Sequence, residues 1–304
     1  MRAACCAPDA PATSHDQRPP GAAAPVRPLA PAEAAAAVPG RAVLDVREAD
    51  AFAAGHLAGA GHVPAAELAA RRTELPPREA PLLVVAADAA AARAAAAAVA
   101  ALGYRDVAWL DGAPDALPGG LADHGPPARL WRPAPLLEEM IGSLPPGRAL
   151  DVAAGQGRDA VFLALHGFEV EAWDRAPEAL EAARVLAARH GVRVTTVACD
   201  LEREPERLPA GRFAVVTCFR FLHRPLFPYI ERALAPGGVL LYETFRAGQE
   251  RYGRPVRRQF LLAADELAAA FPGLEVVRYA ELEPAGGPVT ARLVARRPSR
   301  ATPR

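Results

Sequence analysis

Two glycines, Gly155 and Gly157, and two aspartates, Asp174 and Asp200, have the types and spacing of a ligand site. The glycines lie in Ala153-Ala154-Gly155-Gln156-Gly157, directly after the apolar run Arg148 to Val152, which has the length of a buried strand. A helical pattern follows and stops at Gly167. Strand, glycine turn and helix form the opening unit of a nucleotide-binding α/β sheet, and a residue without Cβ lets backbone approach a ligand. Asp174 closes the next strand, Glu169 to Trp173, 17 residues after Gly157. A carboxylate there accepts hydrogen bonds from ribose hydroxyls. Asp200 follows the third strand, Arg193 to Ala198, and can accept from an adenine amino group with Leu201 against the ring. A lone Asp at a strand end is often a cap or turn residue. Three such features at three consecutive strand ends favour the nucleotide site.

These residues need a parallel sheet to bring them together, and the second half of the chain supplies the pattern for one. Helix Pro177 to His190 stops at Gly191, strand Phe213 to Phe219 leads to Arg220, and helix Leu226 to Leu234 runs into Ala235-Pro236-Gly237-Gly238. Strand Val239 to Tyr242 follows, then a helix over Asp265 to Phe271 and a hairpin of Leu274 to Leu282 with Val289 to Arg296. Alternation of this kind predicts a parallel sheet with right-handed crossovers and a terminal antiparallel hairpin. Ligands then sit at the carboxyl ends of the strands.

The turn lacks the third glycine of a dinucleotide fingerprint. With the PGG turn and the hairpin, the stretches DVAAGQGRDAVFLALHGFEVEAWD and LAPGGVLLYETF resemble class I S-adenosylmethionine-dependent methyltransferases, in particular the small ones of the tellurite-resistance group. The resemblance covers about Leu136 to Arg297 and implies a seven-stranded Rossmann-like sheet with S-adenosylmethionine as cofactor. Ala153 departs from it, since many relatives have Gly there. Carried over by position, the resemblance puts Asp151, Ala153 and Gly155 near the methionine end, with Gly157 letting the following helix approach the ligand. Asp174 would hold the ribose, Asp200 and Leu201 the adenine, and Phe219 and Arg220 would border the transferred methyl.

A soft nucleophile such as a thiolate needs little help in methyl transfer, whereas a hydroxyl wants a general base. His223, Tyr242 and Glu243 are the candidates near the strand ends, each of a type that also serves packing or capping. The segment FRAGQERYGRPVRRQF carries Arg246, Arg251, Arg254, Arg257 and Arg258 against one acid, Glu250. It reads either as a lid that selects an anionic substrate or as a solvated loop.

The first half has its own pattern: a short helix at Pro31 to Ala37, strands Ala42 to Val46, Leu82 to Val85 and Val107 to Leu110, and an alanine helix Ala89 to Ala101. The pieces LDVREADAFAAGHLAGAGHVP, PLLVV and LGYRDVAWLDG resemble the rhodanese (sulfurtransferase) family over about Pro28 to Leu117. The resemblance implies a small parallel sheet with flanking helices, and a cysteine in the loop after the central strand that carries a persulfide. That loop reads Ala86-Ala87-Asp88, and no cysteine occurs between Ala7 and Ala198. The thiol chemistry is therefore expected to be absent. His56 and His62 are expected to order loops, with no metal site.

The expected organisation is a disordered tail (1–27), a rhodanese-like domain (28–117), a linker (118–135), a methyltransferase domain (136–297) and a tail (298–304). Acidic and basic side chains balance at 35 each, which gives no global field for nucleic acid or an anionic surface. Lys and Asn are absent and Arg and Ala abundant, a compositional bias without functional content. Cys5, Cys6, Cys199 and Cys218 have no zinc-ligand spacing, no apolar run reaches membrane-span length, and no signal-peptide core opens the chain. A cytoplasmic protein is expected, with no nucleic-acid or membrane partner and a protein partner conceivable for the first domain. The expected function is methyl transfer to a small molecule, with a thiol, a chalcogen oxyanion and other anionic acceptors all open. A non-catalytic S-adenosylmethionine-binding regulator is the alternative, and a sulfurtransferase is disfavoured by the missing cysteine.

Overall fold

The computed structural model describes residues 26–299. The expectations for residues 1–25, including Cys5 and Cys6, and for 300–304 lie outside the described residues. The chain divides into two compact units between Leu130 and Trp131.

The first unit is a five-stranded, all-parallel sheet. Its elements are β1 (Arg27–Leu29), α1 (Pro31–Ala37), β2 (Ala42–Asp45), α2 (Ala49–Ala53), β3 (Gly61–His62), β4 (Leu82–Val85), α3 (Ala89–Ala101) and β5 (Val107–Leu110), with strand order β1-β5-β4-β2-β3. Leu82 and Val84 join one core cluster and Leu83 and Val85 the other. That two-sided burial is why β4 reads as a continuous apolar run rather than an alternating one. β1 lies where irregular chain was expected; as an edge strand it tolerates Pro28. β3 is two residues long and leaves no periodic trace.

His56 and His62 hold loops in this unit. The Phe52 ring stacks between His56 at 3.8 Å and His62 at 4.5 Å. His56 Nδ1 donates to the Phe52 carbonyl and His62 Nε2 to that of Arg47. The stretch expected as a linker is not free chain. His56 and Asp123 exchange backbone hydrogen bonds, and Ala128 N–H donates to the Ala60 carbonyl. Beyond the division, Trp131 is buried and donates to His190. Proline and glycine content marked irregular backbone here and carried no information on packing.

The second unit opens with α4 (Pro135–Met140) and continues β6 (Arg148–Val152), α5 (Arg158–Leu165), β7 (Glu169–Asp174), α6 (Pro177–Arg189), β8 (Val194–Ala198) and β9 (Phe213–Phe219). Then come α7 (Phe227–Ala233), β10 (Leu234–Phe245), α8 (Glu266–Ala269), β11 (Glu275–Leu282) and β12 (Thr290–Arg296). The seven strands are ordered β11-β12-β10-β9-β6-β7-β8, with β12 antiparallel to both of its neighbours. This is the expected seven-stranded Rossmann-like sheet with its terminal hairpin. A core cluster lies on each face, one around Phe213, Tyr242 and Phe271 and one around Leu137, Phe162 and Leu241.

β10 begins at Leu234, earlier than expected, with a register shift before Val239. A Cβ on Gly238 would fall 2.8 Å from the Ala235 carbonyl oxygen and 2.9 Å from that of Phe213, so the bulge requires glycine. Gly157 starts α5 at φ 78°, and a Cβ there would lie 2.4 Å from the Ala183 Cβ of α6. Its missing side chain seats two helices together, not a helix against a ligand. Gly157→Ala should therefore destabilise the chain by about 1–3 kcal/mol, the cost of overpacking. Urea unfolding of parent and variant measures it, and equal midpoints would contradict the close packing.

Candidate functional site

The carboxyl ends of β6, β7, β8, β9 and β10 surround a cleft of about 800 Å³, within the usual range of small-molecule sites. One half is lined from the first three of these strand ends. Ala153 follows β6, Trp173, Asp174 and Arg175 close β7, and Cys199, Asp200, Leu201 and Glu202 follow β8. Asp174 ties this half together. Its Oδ2 accepts the Gly155 N–H at 2.8 Å and its Oδ1 the Ala176 N–H at 2.9 Å. An ionised carboxylate has about four acceptor positions, so capacity remains for a ligand. Asp200 accepts the Glu202 N–H at 3.1 Å, and Leu201 beside it is buried. A Cβ on Gly155 would meet nothing within 4 Å, which leaves the turn open to an approaching group.

Ala153 and Arg220 both line the cleft in left-handed backbone, at φ 55° and 58°. Such conformations cost a residue with a Cβ about 1–2 kcal/mol. At Ala153, where a glycine would be free of that cost, the turn is imposed by its surroundings: the Ala154 N–H donates to the Trp173 carbonyl and the Gly157 N–H to that of Ala154.

The other half is lined by Arg220, Phe221 and Leu222 after β9, by Thr244 and Phe245 of β10, and by Arg254 to Arg257 and Phe260. The basic segment thus reaches the cleft, but its five arginines divide. Arg254 and Arg257 line it. Arg246 lies 3.5 Å from both Glu281 and Glu283, and Arg251 pairs with Glu283, which fastens the start of the segment to the end of β11. Arg258 is exposed outside the lining.

The three candidate bases are not brought into the lining. Tyr242 is fully buried, its hydroxyl donates to the Phe221 carbonyl at 2.9 Å, and burial holds its proton well above the usual phenol range. Glu243 projects from the opposite face of β10, where it accepts from Thr290 and lies 2.9 Å from Arg292 Nε in a contact too bent for a hydrogen bond. His223 is half-buried in the turn after β9 and outside the lining. Of the remaining expected residues, Asp151, Gly155, Gly157 and Phe219 lie outside the lining, with Phe219 packed against the core cluster around Leu241. Sequence reading missed Trp173, Phe221, Phe245, Val256 and Phe260. Trp173 and Phe221 neighbour recognised strand-end residues, a usable signal; Val256 and Phe260 lie in aperiodic chain and gave none.

Residues 149–238 match the methyltransferase domain family and residues 30–116 the rhodanese-like domain family. A ubiquinone biosynthesis O-methyltransferase from Bordetella bronchiseptica is 32% identical over 121 residues, 38% of this chain and 50% of that protein. A protein named Hemagglutinin 1 from Eikenella corrodens is 26% identical over 151 residues, 48% of this chain and 49% of that one. The chain spans about half the length of these curated relatives. Among solved structures, TehB from Haemophilus influenzae aligns with a TM-score of 0.46 at 16% identity, over 55% of this chain and 62% of that one. No helix among the described residues is long and apolar enough to cross a membrane, and no cluster there could hold a metal ion.

Beneath the turn, Asp151 is buried. Thr217 donates to its Oδ1 at 2.9 Å, and its Oδ2 has no hydrogen-bond partner. Burial, and then the charge of Asp159, push its carboxyl well above the usual range. The folded state therefore favours the proton, whereas the unfolded chain releases it near pH ~4. The stability this group contributes is complete below that pH and falls as pH rises toward the raised folded value, by at most about 1.4 kcal/mol per pH unit. Asp151→Asn keeps an acceptor for Thr217 and cannot ionise, so its stability should fall less between pH 5 and pH 8 than the parent's (roughly the window above ~4). Urea unfolding at several pH values checks this; parallel pH profiles would contradict it.

Proposed function

We propose, for a chain that joins a rhodanese-like domain to a class I S-adenosylmethionine-dependent methyltransferase domain, that the second unit transfers a methyl group from S-adenosylmethionine to a small anionic molecule. One observation carries this reading: Ala153 of the glycine turn, Asp174 and Asp200 share a cleft with Arg220, Arg254 and Arg257. The donor set fits the cofactor. Asp174 has acceptor capacity for ribose hydroxyls, Asp200 for the adenine amino group, and Leu201 offers an apolar surface to the base. Asp151 lies buried in β6 just before the turn, and Phe219 backs the wall where the methyl would lie. The bound cofactor supplies an activated methyl carbon on a sulfonium. The chain's own residues orient the acceptor in line with that carbon and shield both from water. The acceptor's lone pair forms the new bond as the carbon–sulfur bond breaks toward sulfur. With none of His223, Tyr242 and Glu243 in the lining, an acceptor that is already nucleophilic, such as a thiolate or a chalcogen oxyanion, suits the cleft best. The same observation favours the second reading, a regulator that binds S-adenosylmethionine without turnover. Methyl transfer to any acceptor separates the two.

The first unit is read as a non-catalytic module, open to a protein partner. Asp88 replaces the persulfide-cradling loop: its carboxylate caps α3 by accepting the Ala91 N–H at 2.8 Å. An anion of the chain itself thus occupies the helix N-terminus, and no thiol is present in the unit's described residues. The unpaired Cys199 and Cys218 suit a reducing, cytoplasmic setting.

Asp200→Ala should weaken binding of S-adenosylmethionine by about 1.5–3 kcal/mol while the fold is kept, as expected for lost charge-assisted hydrogen bonds. Isothermal calorimetry of the full chain measures it, and unchanged affinity would refute the adenine assignment. The full chain should also release no thiocyanate from thiosulfate and cyanide above a denatured control. Release above that control would restore the sulfurtransferase reading.

A further inference from the structure

The acceptor half of the cleft has two features that together say more about the acceptor than that it is anionic. The first is apolar surface held open to water. Val256 is 59% exposed and Phe260 39%, and both line the cleft beside Phe221 and Phe245, which are half-buried. Apolar side chains gathered at a cleft and left wet mark surface that a ligand covers. The second is unspent positive charge. Several arginines elsewhere in this unit are paired, as Arg212 is with Glu171, Arg224 with Glu266 and Arg246 with Glu281. Arg220, Arg254 and Arg257 line the cleft with no ion pair among the described residues, although Arg220 feels Asp159 at longer range.

Arg220 is also built in at a cost. Its backbone is left-handed at φ 58°, and its N–H is locked to the Glu243 carbonyl at 2.8 Å. Strained backbone of this kind persists where the surroundings over-determine it, and it gathers at ligand clamps. The lock fixes the root of the guanidinium at the end of β9, between the half of the cleft suited to the cofactor and the basic segment.

We infer that the acceptor is an aryl anion. A planar ring sits against Phe245, Val256 and Phe260, and its carboxylate or similar oxyanion is taken by Arg220, Arg254 and Arg257. Phenylalanine faces favour a ring over a flexible chain, because stacked rings gain contact without ordering rotatable bonds. Guanidinium groups take planar oxyanions through paired hydrogen bonds and also stack on rings. Arg220 is accordingly an acceptor-binding residue rather than part of the cofactor's seat. This inference rests on the methyltransferase reading and narrows its acceptor.

The test uses the full chain saturated with S-adenosylhomocysteine, titrated by calorimetry with 2-naphthoate, 2-naphthamide and octanoate. The amide keeps the ring and loses the charge, and octanoate keeps the charge and loses the ring. Naphthoate should bind at least about tenfold more tightly than either, a difference of ~1.4 kcal/mol. Arg220→Gln should bring naphthoate down to the amide without changing affinity for S-adenosylhomocysteine, and Arg220→Lys should fall between. Phe260→Ala should bring naphthoate down to octanoate. Naphthoate binding no tighter than the amide would overturn the anion, and no tighter than octanoate would overturn the ring. Cofactor affinity falling in Arg220→Gln would return that residue to the cofactor. Failure of S-adenosylhomocysteine itself to bind would instead overturn the methyltransferase reading.

Discussion

The Asp174 carboxylate holds the site together. By accepting the Gly155 and Ala176 N–H groups at once, it ties the glycine turn after β6 to the end of β7. The backbone of the same turn donates to the Trp173 carbonyl, so two neighbouring parallel strands fix one loop from both sides. That constraint explains how Ala153 is held at φ 55°, and it leaves the outer face of Gly155 open. Gly157 performs a different task two residues later, where its hydrogen leaves room for Ala183 and lets α5 and α6 close over the sheet. The open and the closely packed positions of the glycine turn thus fall on separate residues.

Charge in the second unit is sorted by what must move and what must not. Arg246 and Arg251 are spent on Glu281 of β11 and Glu283 just beyond it, anchoring the base of the segment that follows β10. Arg224 pairs with Glu266 and donates to the carbonyls of Gln259 and Leu261, which fastens the far end. Between these anchors the chain carries Arg254, Arg257, Val256 and Phe260 to the cleft. A segment held at both ends and irregular between them can present side chains to a ligand at little ordering cost.

Much of this was legible in the sequence. The parallel sheet followed from strand-length apolar runs alternating with helical patterns, and the carboxyl ends of the strands then located Ala153, Asp174, Asp200 and Arg220 beside one cleft. What failed was the direction of side chains. Tyr242 and Glu243 are adjacent on β10 and were grouped by nearness to a strand end, but successive residues face opposite sides of a sheet and neither faces the cleft. The division among the five arginines was hidden because the acids that claim Arg246 and Arg251 lie on a hairpin strand some 30 residues further on. The short strands β1 and β3 were hidden because three and two residues are too few to show a period. The packing of 118–130 within the first unit combines backbone hydrogen bonds with the isolated side chains Leu121 and Leu130, which leave no periodic trace.

The central claim is that one cleft seats the adenosine of the cofactor at Asp174 and Asp200 and turns its sulfur toward Arg220 and Phe221. A crystal structure of the full chain grown with S-adenosylhomocysteine tests this most directly. The account predicts ribose hydroxyls within hydrogen-bond reach of the Asp174 carboxylate and the adenine amino group at Asp200. It also predicts the sulfur at the border with the half lined by Arg254, Val256 and Phe260. A ligand seated away from Asp174 and Asp200, or one whose sulfur points away from Arg220, would contradict it.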